Sequence, residues 1–184
     1  NKCQDAADTF VLPDKQENLR LAQETIWSDE IDLLIIRESG TAGMEGPCVP
    51  GKPLYKYMKA KGQGGKSFDG ARGSHGQGKA APILCSQLHT IFVSTNWQTD
   101  NLVMGRATLS SHYGDNEKSI HNNVGYWGND FDPVPFNASM PVWLYREEPG
   151  TNIVVIGFKQ FVAWAEILRA AVATNFFAAI SKKN

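Results

Sequence analysis

Between residues 61 and 78 the chain carries seven glycines, and the stretch GARGSHGQGKAA (residues 70–81) alone holds four. Glycine loses the most backbone freedom on ordering and offers no side chain to pack, so a run this dense does not form a helix or a strand interior. Lys61 to Gly78 is therefore expected as a long loop, and the core has to come from the segments on either side of it. Loops of this length without structure of their own are usually functional lids or linkers. Charge gathers here too. From Lys52 to Lys79 there are seven basic residues against the single acid Asp69, although the whole chain has a formal net charge of −1. That balance does not indicate a general nucleic-acid surface, and on charge alone the basic segment reads as a solvated loop.

The flanking segments have ordinary patterns. DKQENLRLAQETIW reads as a helix with Leu19, Ala22, Ile26 and Trp27 near helical spacing, and IDLLIIRES reads as a strand stopped by SGTAGMEGP. PLYKYMKA fits a short helix. HTIFVST, NLVMGRATLSS, PVWLYREE and NIVVIGF read as strands that follow one another without helices between them. That order predicts an α+β protein, a mostly antiparallel mixed sheet with helices on one face, in a single domain spanning residues 1–184. The final segment, FKQFVAWAEILRAAVATNFFAAISKK, predicts a long amphipathic helix with Trp164, Ile167, Leu168, Ala171 and Val172 on one stripe and its aromatics in the core.

Apolar residues make up 42% and charged residues 20%, and no apolar run approaches the roughly 18 residues a membrane span needs. No signal peptide is visible at NKCQDAADTF. Cys3, Cys48 and Cys85 are odd in number and lack metal-ligand spacing, so reduced thiols in the cytoplasm are expected.

Two phosphate-binding designs compete for the glycine loop. GSHGQGKA (Gly73–Ala80) comes within one residue of the P-loop, but Ala80 lacks the hydroxyl that would hold Mg²⁺, and KGQGGKSFDGAR precedes it where a buried strand is required. The other design is a glycine turn that leads into a helix. Gly73, Gly76 and Gly78 would let backbone N–H groups face an anion, GKAAPILCSQL would supply the helix, and Lys79 would reach the phosphate oxygens.

The motifs ESGTAGM, GSHGQGKAA and GTNIVVIGF, in that order, resemble the motif set of the GHKL superfamily: gyrase, the ninety-kilodalton heat-shock chaperone, histidine kinases and MutL. The resemblance spans nearly the whole chain and is closest to bacterial proteins of the heat-shock-chaperone-like ATPase type, with SQLHTIFVST and GTNIVVIGF matching their strands. It implies the Bergerat fold, a two-layer α/β sandwich, with ATP and Mg²⁺ as cofactors. It also assigns sites. Glu38 takes the place of the family aspartate that accepts a hydrogen bond from the adenine amino group, and Gly40, Gly43 and Met44 form the loop beneath the base. Gly73, Ser74, His75, Gly76, Gln77, Gly78 and Lys79 wrap the phosphates, and Thr151 supports the adenine-binding acid. A carboxylate suits adenine because it accepts an exocyclic N–H that guanine lacks at that position.

The family's first motif, roughly Glu-x-x-x-Asn-x-x-Asp-Ala, supplies an asparagine for Mg²⁺ and a glutamate that activates water. Asn1 takes the asparagine place with one extra residue; in the ungapped register Lys2 stands there, and in either register the glutamate falls before residue 1. No residue of this chain is assigned as catalytic. The implied function is ATP binding with slow Mg²⁺-dependent hydrolysis coupled to lid closure, within a longer protein. Two alternatives stand beside it, a nucleotide-sensing module that does not hydrolyse and a glycine-rich protein-interaction domain. The expected partners are an adenine nucleotide and a further protein or further domains of the same chain, with a homodimer left open.

Overall fold

The computed structural model describes residues 13–60, 77–98, 100–113 and 120–181. In chain order, helix α1 (Pro13–Trp27) leads to strand β1 (Leu33–Arg37) and helix α2 (Pro53–Met58). A 3-10 turn (Gln77–Ala80) then runs into the four-residue helix α3 (Ala81–Leu84). Strands β2 (Ser86–Trp97), β3 (Asp100–Thr108), β4 (His112–Tyr113), β5 (Ile120–His121), β6 (Val124–Trp127) and β7 (Val134–Pro135) follow. A second 3-10 turn (Val142–Leu144), strand β8 (Gly150–Phe158) and helix α4 (Trp164–Ser181) complete the order.

Six strands form one open sheet in the order β1–β8–β2–β3–β6, with β7 also on β3, while β4 and β5 pair apart from it. Every pairing in the sheet is antiparallel, which makes this an α+β protein. The central strands are buried on both faces, which is why NIVVI reads as a continuous apolar run and not as an alternation. Val154 and Val155, neighbours that point to opposite faces, are both 0% exposed. Burying each such side chain contributes about 1.5–3 kcal/mol.

The register sorts the two cores. Ile91 and Val93 on β2 lie opposite Val155 and Ile153 on β8, and Val93 lies opposite Met104 on β3. On this first face Leu54 and Met58 of α2, Ile83 of α3 and Cys48 close the core. On the second face Val103 and Val154 pack with Leu144, backed by Phe92, Trp143 and Ile156. Helices α2 and α3 thus cover one face, as expected, and the irregular chain around the second 3-10 turn covers the other.

Three expectations are corrected. PVWLYREE is not a strand: Pro141 fixes a turn in which the amides of Leu144 and Tyr145 donate to the carbonyls of Pro141 and Val142 at 2.9 Å each. The helix expected from GKAAPILCSQL is only α3, because Ser86 already starts β2. Helix α4 forms but is not core. Trp164 meets Phe158 edge-on at 5.0 Å, whereas Ile167, Leu168, Val172, Phe176 and Phe177 are all exposed. Its apolar residues run round the whole circumference, so the stripe read from the sequence does not single out one face.

Candidate functional site

Strand β1 ends at Arg37, opposite Asn152. The ladder nevertheless runs one residue further, since the Glu38 amide donates to the Thr151 carbonyl at 2.9 Å. Glu38 therefore stands across from Thr151, and Thr151 stands across from Thr95 on β2. Directly opposed residues share a face, so the three form a row across three strands at one end of the first face. The row runs from an exposed acid to two buried hydroxyls: Thr151 is 2% exposed and Thr95 0%.

The hydroxyls are linked. Thr95 Oγ1 accepts from the Met44 amide at 2.6 Å and lies 3.3 Å from Thr151 Oγ1. The carbonyl oxygens of Met44 and Gly150 are also 3.3 Å from it. A hydroxyl has one proton to give. When Thr95 gives it to Thr151, the Thr151 proton is free for another acceptor, while the Met44 amide holds Thr95 Oγ1 in place.

The loop after Glu38 is pressed onto the same strand ends. Gly43 has φ +79, and a Cβ there would meet the Asn96 carbonyl oxygen at 2.4 Å and the Gly150 carbonyl oxygen at 2.9 Å. Only glycine permits that approach. Gly40 is also left-handed, with φ +73, but stands in open space. Met44 packs against the first-face core.

Lys79, expected at a phosphate, is engaged elsewhere. Its ammonium donates to the Lys56 carbonyl at 2.9 Å and to the Ala60 carbonyl, at the C-terminal end of α2. Arg106 adds a bond of 2.8 Å to the Met58 carbonyl. Three carbonyls at a helix end thus receive two cations, as the helix dipole favours. Burial, helped by the charge of Arg106, holds the Lys79 pKa below the usual lysine value. Gln77 and Gly78 lie in the 3-10 turn, where Gly78 is exposed. Asn1, Gly73, Ser74, His75 and Gly76 lie outside the described residues, as does Lys61 to Gly76 of the expected lid.

The structure thus brings together Glu38, Gly43, Met44 and Thr151, and sets Lys79 apart at the end of α2. Two residues that sequence reasoning did not assign join the first group. One is Thr95, which sits in the quoted SQLHTIFVST; its placement opposite Thr151 follows only from strand register. The other is Arg146, 7% exposed, whose guanidinium reaches the Glu38 carbonyl. A cavity of about 380 Å³ opens beside it on the second face, with Arg37, Ser39, Glu147, Glu148 and Asn152 in its lining. It does not coincide with the Glu38 row, because Arg37 and Asn152 point to the opposite face from Glu38 and Thr151. Among the described residues no three of His, Cys, Asp and Glu gather as a metal centre would require. No helix among them is long and apolar enough to cross a membrane.

The chain matches no family model, no curated protein and no solved structure.

Proposed function

We propose that this chain binds an adenine nucleotide at the end of β1 and β8, in a Bergerat-type arrangement, with Glu38 accepting a hydrogen bond from the adenine amino group. The observation that carries this reading is the row of Glu38, Thr151 and Thr95 on three adjacent strands. It joins an exposed acceptor to a hydroxyl whose proton can face the same ligand. The described residues fit the base: an exposed carboxylate at a strand end, a glycine loop held flat against the strands, and small hydroxyl side chains beneath. Thr151 supports the acid and offers a proton to a ring nitrogen. When bound, the nucleotide supplies a phosphoanhydride bond, and slow Mg²⁺-dependent hydrolysis coupled to a conformational change belongs to the same proposal.

Calorimetric titration with ATP, ADP, adenosine and GTP tests it. Adenine ligands should bind, GTP should bind at least about tenfold more weakly, and Glu38→Ala should remove that difference, since a hydrogen bond to a charged group contributes roughly 1.5–3 kcal/mol. Equal binding of GTP, or no binding of any adenine ligand, would overturn the reading. Single-turnover assays with radiolabelled ATP decide separately between an ATPase and a module that binds without hydrolysis.

A further inference from the structure

We infer that Arg146 is a positioning residue of this site: its guanidinium holds the Glu38 carbonyl and the chain from Glu148 to Asn152 together, and so sets where the Glu38 carboxylate stands. The inference rests on the reading that Glu38 receives the adenine amino group.

Arg146 binds four oxygens on two stretches of chain through one planar group. Its Nε donates to the Glu148 carbonyl at 2.8 Å, and Nη1 donates to Asn152 Oδ1 at 2.5 Å. Its Nη2 donates to the Pro149 carbonyl at 3.0 Å and also to the Glu38 carbonyl. The residue's own backbone is pinned as well, because the side-chain amides of Asn96 on β2 and Asn101 on β3 donate to its carbonyl. Every acceptor of the guanidinium is a neutral oxygen, and among the described residues no carboxylate pairs with it. What the rigid fork supplies is therefore geometry.

The backbone has made room for it. Gly150 has φ +133, and a Cβ there would stand 2.2 Å from Arg146 Nη2 and 2.7 Å from the Glu38 carbonyl oxygen. The bare glycine lets the guanidinium lie against the strand end.

Glu38 depends on that grip because it sits on an edge strand. Among the described residues β1 pairs only with β8, and residues 39–42 beyond it are exposed. Two bonds hold the Glu38 backbone, its amide to Thr151 on one side of the residue and its carbonyl to Arg146 on the other. Without the second, rotation about the Glu38 N–Cα bond, which carries the side chain and the carbonyl together, is held by the amide alone, and the carboxylate is no longer kept on the Thr151 side of the strand.

The experiment compares ATP and GTP binding by the native chain, Arg146→Lys, Asn152→Ala and Ser94→Ala. Lysine keeps the charge but has no planar fork with which to bind the four oxygens at once. Asn152→Ala removes one contact of the fork and is the milder test should Arg146→Lys not fold. Ser94→Ala is the structural control, since it cuts a buried bond to the Leu144 carbonyl in the same covering segment and leaves the fork intact. The ATP-over-GTP preference, about tenfold or more in the native chain, should fall to within about threefold in Arg146→Lys and to an intermediate value in Asn152→Ala. Ser94→Ala should lower the melting temperature and keep the preference. Full preference in Arg146→Lys, or in Asn152→Ala where the lysine variant does not fold, would overturn the positioning role and leave the adenine reading standing. A native chain that binds no adenine ligand would overturn both.

Discussion

Gly43→Ala tests the loop at its tightest point, and Gly40→Ala supplies the comparison. Both residues are left-handed, at φ +79 and +73, so alanine at either costs about 1–2 kcal/mol of backbone strain. Only Gly43 adds a collision. Its Cβ would lie 2.4 Å from the Asn96 oxygen, about 1 Å inside the ordinary contact distance of 3.4 Å, and 2.9 Å from the Gly150 oxygen. Both oxygens are backbone, on the paired ends of β2 and β8, so the strands cannot give way and the loop must move. A shift of that size breaks the 2.6 Å bond from the Met44 amide to Thr95 Oγ1. Leaving such buried groups unsatisfied costs about 1–3 kcal/mol. Gly43→Ala should therefore lose about 2–5 kcal/mol by urea denaturation and Gly40→Ala only about 1–2. Adenine affinity should drop in the first variant and hold in the second. Equal midpoints for the two would refute the reasoning, because the backbone strain they share would then be the whole effect.

Lys79→Met should destabilise the protein by about 1–3 kcal/mol without any ligand, since two helix-end carbonyls lose a charged donor; an unchanged midpoint would show the lysine to be free of α2. Tyr57 has a buried hydroxyl with no partner among the described residues, and burial pushes its pKa up to about 12. Its neutral form is favoured in the folded state, so this contribution to stability is full below pH about 10 and is lost as pH rises toward about 12. Tyr57→Phe should flatten that alkaline loss in urea midpoints taken across the range, at little or no cost at neutral pH. His89, with φ 46 in the bulge of β2, has its pKa held below 6.5 by burial and by Lys159. A depressed pKa gives stability that is present above pH about 6.5 and lost as pH falls through the folded-state value. His89→Asn, which tolerates the left-handed backbone, should reduce that acid loss, and midpoints between pH 8 and 5 would show it.

Much of the sheet was legible because branched apolar runs bounded by glycine and proline mark strands well. LLIIR, the apolar part of SQLHTIFVST, NLVMGRAT and NIVVIGF all form strands, and α1, α2 and α4 form near their expected bounds. The failures have local causes. Two-residue strands such as β4, β5 and β7 are too short to show a period, and β6 lies in SIHNNVGYWGND, whose glycines and asparagines read as loop. PVWLYREE has an alternating pattern, but Leu144 is buried while Val142 is 81% exposed, because a 3-10 turn presents them differently. Helix α4 failed for the opposite reason, with too many apolar residues to define a stripe. In the candidate site, motif order proposed Glu38 and Thr151 as site residues, and strand register sets them opposite one another. Lys79 was assigned to a phosphate from the glycine turn before GKAAPILCSQL and from motif GSHGQGKAA, neither of which reveals its bonds to the end of α2.

Arg146 was invisible for a more general reason, and it bears on how the two faces of the sheet communicate. Because side chains alternate along a strand, Glu38 and Thr151 look toward the helix-covered face while Arg37 and Asn152 look toward the cavity on the other. A side chain on the second face cannot reach the Glu38 carboxylate. It can reach the Glu38 carbonyl, which lies in the sheet plane, and Arg146 does so at the end of β1, where no further strand among the described residues claims that oxygen. Contacts made through backbone atoms leave no residue-type signature at the partner, so the carbonyl of any residue at position 38 would accept the same bond. The consequence is directional: changes in the 146–152 segment should alter base selectivity from the face opposite the proposed base site, and carboxylate substitutions at Glu38 should leave the Arg146 bonds intact. Glu38→Gln should accordingly lose adenine preference with an unchanged melting temperature, whereas Arg146→Lys should lose both. A melting temperature that falls equally in the two variants would mean that the Glu38 side chain is itself part of the network that Arg146 holds.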